Sequence, residues 1–122
     1  MPSFTDALRG YAFPIHKRDK YKCVYCGLDG TQSFSNWLSL SWDHLLPKEH
    51  PLRDDFEYIA TACMFCNVAD NQYFVKASKR GITFNDKSRE ELITQRKPYV
   101  MKTRESYREF WEFNVQHASE RC

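Results

Sequence analysis

Short apolar clusters alternate with polar stretches along the chain, and the spacing inside each cluster predicts its element. Ser39-Leu-Ser-Trp-Asp43 alternates apolar and polar positions, which puts Leu38, Leu40 and Trp42 on one face of a short strand. Phe56-Glu-Tyr-Ile-Ala-Thr61 fits a strand or a helical turn equally well. From Asn67 a helix is expected to run to Lys79-Arg80, with Gly81 as its terminator. Ser88-x-x-Glu91 has the form of a capping box and opens a helix that buries Leu92 and Ile93. Pro98 should break or restart that helix. Beyond it Val100, Tyr107, Phe110, Trp111 and Val115 recur at helical spacing. They predict a long amphipathic C-terminal helix whose aromatic stripe packs into the core. At the other end, Phe4, Leu8, Tyr11 and Phe13 suggest a short helix that closes before Pro14, with a turn over 15–21 behind it. Gly27 and Asp29-Gly30 mark a tight turn, and Pro47 and Pro51 bracket a charged loop.

These elements add up to one α+β domain spanning 1–122, with a core over 15–80 and a helical extension over 81–122 that packs on it. An apolar fraction of 42% is enough for a modest core, of the size that often gains from a metal staple. No run approaches the roughly 18 apolar residues of a membrane span, and no basic-flanked apolar run follows Met1. A soluble cytoplasmic protein with no membrane partner is expected.

Charge adds little in total and more in its distribution. The net charge is +2, yet residues 1–22 hold five Lys/Arg against two Asp/Glu, and 76–108 hold ten against four. Between them, residues 29–57 hold two against six. An acidic centre between basic flanks suits a cation site gripped by phosphate-binding arms, although charged, solvated helix surfaces give the same pattern.

The cysteines change the picture most. Cys23-Val-Tyr-Cys26 and Cys63-Met-Phe-Cys66 form two C-x-x-C pairs, and the fifth, Cys122, ends the sequence as an incidental thiol. Two residues between cysteines let both sulfurs face one ion, and two such pairs supply the four thiolates of a structural zinc site. A redox dithiol or unpaired buried cysteines would not explain two pairs. The 36 residues between the pairs exceed the ~15–20 of a compact zinc ribbon, so a subdomain lies between them. Zinc held this way contributes roughly 10–16 kcal/mol to folding. With four thiolates it is closed to water and does not catalyse.

Inside that frame stand Asp43-His44-Leu45-Leu46-Pro47, and Asn67 directly after Cys66. With C-x-x-C, D-H-x-x-P and Thr61-Ala-Cys-x-x-Cys-Asn67 in this order, and Arg18-Asp19-x-Tyr21 before them, residues 15–73 resemble the zinc-containing HNH nucleases. The resemblance implies a small zinc-stabilised ββα-metal (treble-clef-like) core. It implies His44 as general base, and Asp43 and Asn67 holding Mg²⁺ or Mn²⁺, all three counted as catalytic. DNA is the implied substrate, with RNA as the alternative. A histidine with an ordinary pKa near 6.5 is a competent base at neutral pH, and a hard cation takes oxygen ligands. Lys17, Arg18, Lys20, Lys22, Lys76, Lys79 and Arg80 are the candidate phosphate contacts. His50 is a loop residue that could touch phosphate, while His16 and His117 carry no expected role.

Two positions depart from the family's pattern. Tyr58 stands where a bracing Asn would fall, and Asp70 where a Lys is frequent. Asp70 and Asn71 could reinforce the metal site or be solvated helix residues. The departures keep open a non-catalytic zinc module that binds nucleic acid or protein, and a purely structural zinc protein whose last helix docks a partner.

Overall fold

The computed structural model describes residues 12–69 and 72–118. The expected N-terminal helix over 1–13 falls largely outside these residues, as do Asp70, Asn71 and Cys122. Within them, Pro14 opens a helix instead of ending one: α1 spans Phe13–Arg18, with the proline in its first turn. The first turn has no use for the missing N–H, so the ring costs nothing there. Helix α2 (Phe34–Leu38) is capped by Ser33, whose hydroxyl accepts from the Asn36 N–H.

Strand β1 (Leu40–His44) and strand β2 (Ile59–Cys63) form a two-stranded antiparallel sheet, the whole of the sheet among the described residues. The register pairs Leu40 with Cys63, Asp43 with Ala60 and His44 with Ile59. The ambiguous segment resolves into both of its options: a single 3₁₀ turn over Phe56–Tyr58 leads into β2. All five residues of β2 are buried, which is why its sequence gives no apolar–polar alternation, its one hydroxyl, Thr61, being met by His16.

The single helix expected from Asn67 to Arg80 is two. Helix α3 (Met64–Val68) starts on the second cysteine pair, with Cys63 Sγ accepting from the Cys66 N–H. Helix α4 covers Tyr73–Lys79, and Gly81 follows it at φ +76°, the left-handed region that suits glycine. Helix α5 runs unbroken over Arg89–Asn114 with the Ser88/Glu91 capping box in place. Pro98 lies inside it, so the expected break is corrected: the proline is absorbed. None of these helices is long and apolar enough to cross a membrane.

Two apolar clusters fill the interior. One gathers Leu45, Leu46, Ala60, Tyr73, Ala77, Phe84 and Leu92. The other gathers Tyr25, Ala62 and Val100 around three of the cysteines. Helix α5 therefore packs on the body through Leu92, Arg96 and Val100. Its last turns do not. The aromatic stripe expected to be core is exposed, with Tyr107 and Phe110 at 63%. The helix runs past the two clusters, and of this face Tyr107 meets Phe65 edge-on while Phe110 and Trp111 keep much of their surface exposed.

A four-thiolate cluster and the strand that carries His44

The two cysteine pairs meet. Cys23, Cys26, Cys63 and Cys66 place their sulfurs within 4.8 Å of one another, the one such cluster of potential metal ligands among the described residues. Cys26 Sγ stands 3.8 Å from Cys63 Sγ. A tetrahedral zinc at about 2.3 Å from each sulfur would space them about 3.8 Å apart, so the donor set fits zinc in chemistry and in size. The first pair sits on a turn closed by Gly27 N–H donating to Cys23 O at 2.9 Å. The second pair sits at the β2–α3 junction, where the helix start turns two sulfurs the same way. Crowded thiols perturb each other: contact with Cys23 pulls Cys26 far below the ordinary thiol range, and Cys23 in turn pushes Cys66 far above it. Arg104 on α5 lies 3.8 Å from Cys66 Sγ, bringing a cation to the cluster's edge.

The sheet hands the expected catalytic residues to different surroundings. Successive residues of a strand point to opposite faces, so Asp43 and His44 part company. Asp43 turns inward and is 3% exposed. Arg96 Nη1 donates to both of its oxygens, at 2.8 and 2.9 Å, and the Tyr25 hydroxyl donates to Oδ2 at 2.7 Å. The Arg96 guanidinium lies over the rings of Tyr25, Tyr73 and Phe74 at 5.2–5.8 Å. Burial pushes the Asp43 carboxyl up, and Arg96 and Tyr25 pull it back. Burial and the Asp43 charge push the Tyr25 hydroxyl well above its ordinary range.

His44 turns the other way and remains part-exposed, its Nε2 3.4 Å from Asp54 Oδ1. Arg53 Nη1 approaches the same oxygen at 3.3 Å. Burial, then the charge of Arg53, hold the imidazole below its ordinary pKa, and Asp54 pulls the other way. Asn67 is tied to β1: its Nδ2 donates to Trp42 O at 3.0 Å and to Ser41 Oγ at 3.1 Å. The expected triad is thus gathered on one strand–helix corner, with Asp43 and His44 on opposite faces of β1. Asp43 has both oxygens engaged and Asn67 has its amide nitrogen on the strand backbone. As arranged, the residues do not fit a divalent ion.

Tyr58 explains how the loop after His44 is held without the bracing Asn. Its carbonyl accepts from the Leu45 N–H at 2.9 Å, so backbone does the bracing. The Arg18-Asp19 dipeptide proves to be internal support. Arg18 donates to Phe56 O at 2.7 Å and to Ile59 O at 2.6 Å, which engages a residue expected on phosphate. Asp19 accepts from Thr61 N–H at 2.8 Å and pairs with Arg89. Lys17, Lys20, Lys22, Lys76, Lys79 and Arg80 lie at the surface, Arg80 with its guanidinium on the Tyr99 hydroxyl at 2.9 Å. His50 has its ring nitrogens on Asn85 and on the Leu52 N–H, and buried His16 pairs with Thr61 Oγ1 at 2.8 Å.

Sequence reasoning missed Asp54, Arg53, Tyr25 and Arg96. Only Asp54 had a local signal, a carboxylate in the charged loop after His44. Comparison with protein-family models, with curated proteins and with solved structures returned no match.

Proposed function

We propose that this chain is an HNH-type nuclease, a phosphodiester hydrolase acting on DNA, with a zinc-clamped ββα core of treble-clef kind and His44 as its general base. The observation that supports it is the placement of His44. It stands at the end of β1, part-exposed, beside a carboxylate at 3.4 Å and a guanidinium that shares that carboxylate. A base needs an accepting nitrogen toward solvent and a partner that orients the ring, and Asp54 supplies the orientation when Nε2 carries the proton. In this reading His44 takes the proton of a water that attacks phosphorus. Arg53 neutralises charge on the phosphate, and the displaced 3′ oxygen leaves with a proton from solvent. The zinc stays outside the reaction as the frame. Because Asp43 and Asn67 do not fit a divalent ion, no step here runs through one.

Supercoiled plasmid incubated with the purified zinc-loaded protein, with and without Mg²⁺ or Mn²⁺, tests the reading. Nicking is expected, with His44→Ala reducing the rate at least about 100-fold. Nicking at an unchanged rate in His44→Ala would overturn the mechanism.

One observation favours a second reading, a zinc module that binds nucleic acid without cutting it. It is the closed Asp43–Arg96–Tyr25 group, which takes the carboxylate that metal-assisted cleavage would use. Salt-sensitive DNA binding with no cleavage under either ion would select it.

A further inference from the structure

Between α3 and the outer part of α5 lies a groove of about 500 Å³, within the range of small-ligand pockets. Phe65 is on one wall, and Arg104, Tyr107, Arg108 and Trp111 come from the helix. The Tyr107 ring meets Phe65 edge-on at 4.9 Å between centroids, which fixes the floor. Arg104 lies over the Phe65 ring at 5.4 Å. Trp111 stays 44% exposed at the mouth. The one carboxylate in the lining, Glu105, is 4.0 Å from Arg108 in an exposed pair that competes weakly for the cation.

The combination is informative because each part alone would not be. Exposed aromatics without charge would suit an apolar protein surface. Arginines without rings would suit any anion. Rings interleaved with planar guanidinium groups suit a ligand that has both a flat π-face and a negative charge. On the opposite flank of α5 a second groove of about 400 Å³ is lined by Lys76, Arg80, Tyr99, Lys102, Thr103 and Ser106, among others, with no carboxylate. Helix α5 is therefore a ridge with cations on both flanks, three rings in the first groove and the Tyr99 ring, covered by Arg80, in the second.

We propose that the Phe65–Tyr107–Trp111 groove binds an unpaired nucleobase, so that the outer half of α5 holds single-stranded nucleic acid while its cations follow the phosphates. The proposal shares only the class of substrate with the nuclease reading, and it does not depend on cleavage. Stacking on aromatic side chains and strong salt dependence are the general signature of single-strand binding.

The test uses the full zinc-loaded chain carrying His44→Ala, so that cleavage cannot consume the probe. A fluorescently labelled oligothymidine and a duplex of equal length are titrated by fluorescence polarisation. Trp111→Ala is expected to weaken single-strand binding roughly 5- to 150-fold and to affect the duplex much less, with Trp111→Phe restoring most of the affinity. Trp111 is exposed, so its loss should leave the thermal transition in place. Two results would overturn the proposal. One is unchanged oligothymidine affinity in Trp111→Ala. The other is sedimentation showing that Trp111→Ala only converts a dimer to a monomer, which would make the groove a contact between copies. If plasmid is never cut yet oligothymidine binding depends on Trp111, the nuclease reading fails and this one stands.

Discussion

At the scale of single residues, the fate of Asp43 decides most. A carboxylate next to a histidine after a strand reads as a metal ligand, and the same carboxylate equally serves as a buried counter-ion. Local sequence cannot separate the two, because the deciding partner, Arg96, comes from a helix far along the chain. Both side chains of the pair are only 5% exposed, so neither has water to fall back on. Removing one partner of such a pair costs about 3–5 kcal/mol, whereas replacing both by groups that pack can be near neutral. Arg96→Met is therefore expected to destabilise the protein by that amount in urea unfolding. Arg96→Met combined with Asp43→Asn should recover part of the loss. Additive losses would show that Arg96 acts by packing on Tyr25, Tyr73 and Phe74 rather than through the charge.

At the scale of elements, periodicity was informative about which residues share a face and silent about what that face meets. The capping box of α5 and the strand before His44 were legible because their signals lie within a few residues of each other. The exposure of Phe110 and Trp111 was not, since an identical stripe packs into a core when a core is there. The turn after the first knuckle gives a case where the element constrains one atom. Gly30 N–H donates to Tyr21 O at 2.7 Å. A Cβ added at Gly30 would stand 2.6 Å from Leu40 Cδ1 and 3.1 Å from that same carbonyl oxygen. Gly30→Ala must displace the first residue of β1 or open the turn. A loss of about 1–3 kcal/mol is expected, measured as a lower midpoint in thermal or urea unfolding.

At the scale of the whole molecule, the cysteine frame was the most legible feature, because ligand spacing is local even when the site is not. Each pair is a four-residue signal, and the fold only has to bring the two signals together. The frame also makes a measurable demand. The protein is expected to hold one zinc per chain by elemental analysis, and Cys66→Ser or a strong chelator should abolish the cooperative unfolding transition. A chain that kept its transition after losing the metal would show that the two apolar clusters suffice alone. Acid should act in the same direction, because protonated thiols release zinc.

The ion pairs that α5 makes have a consequence for how the molecule comes off the ribosome. Asp43 lies in β1, and its counter-ion Arg96 lies in α5, which is synthesised well after it. Until α5 emerges, burying Asp43 would leave a charge uncompensated, so the core around it cannot close early. Synthesis at ~5–20 residues per second leaves that interval several seconds long. A fragment ending at residue 88 should accordingly bind zinc without reaching the native near-ultraviolet circular dichroism. Adding a peptide of residues 89–118 should restore it.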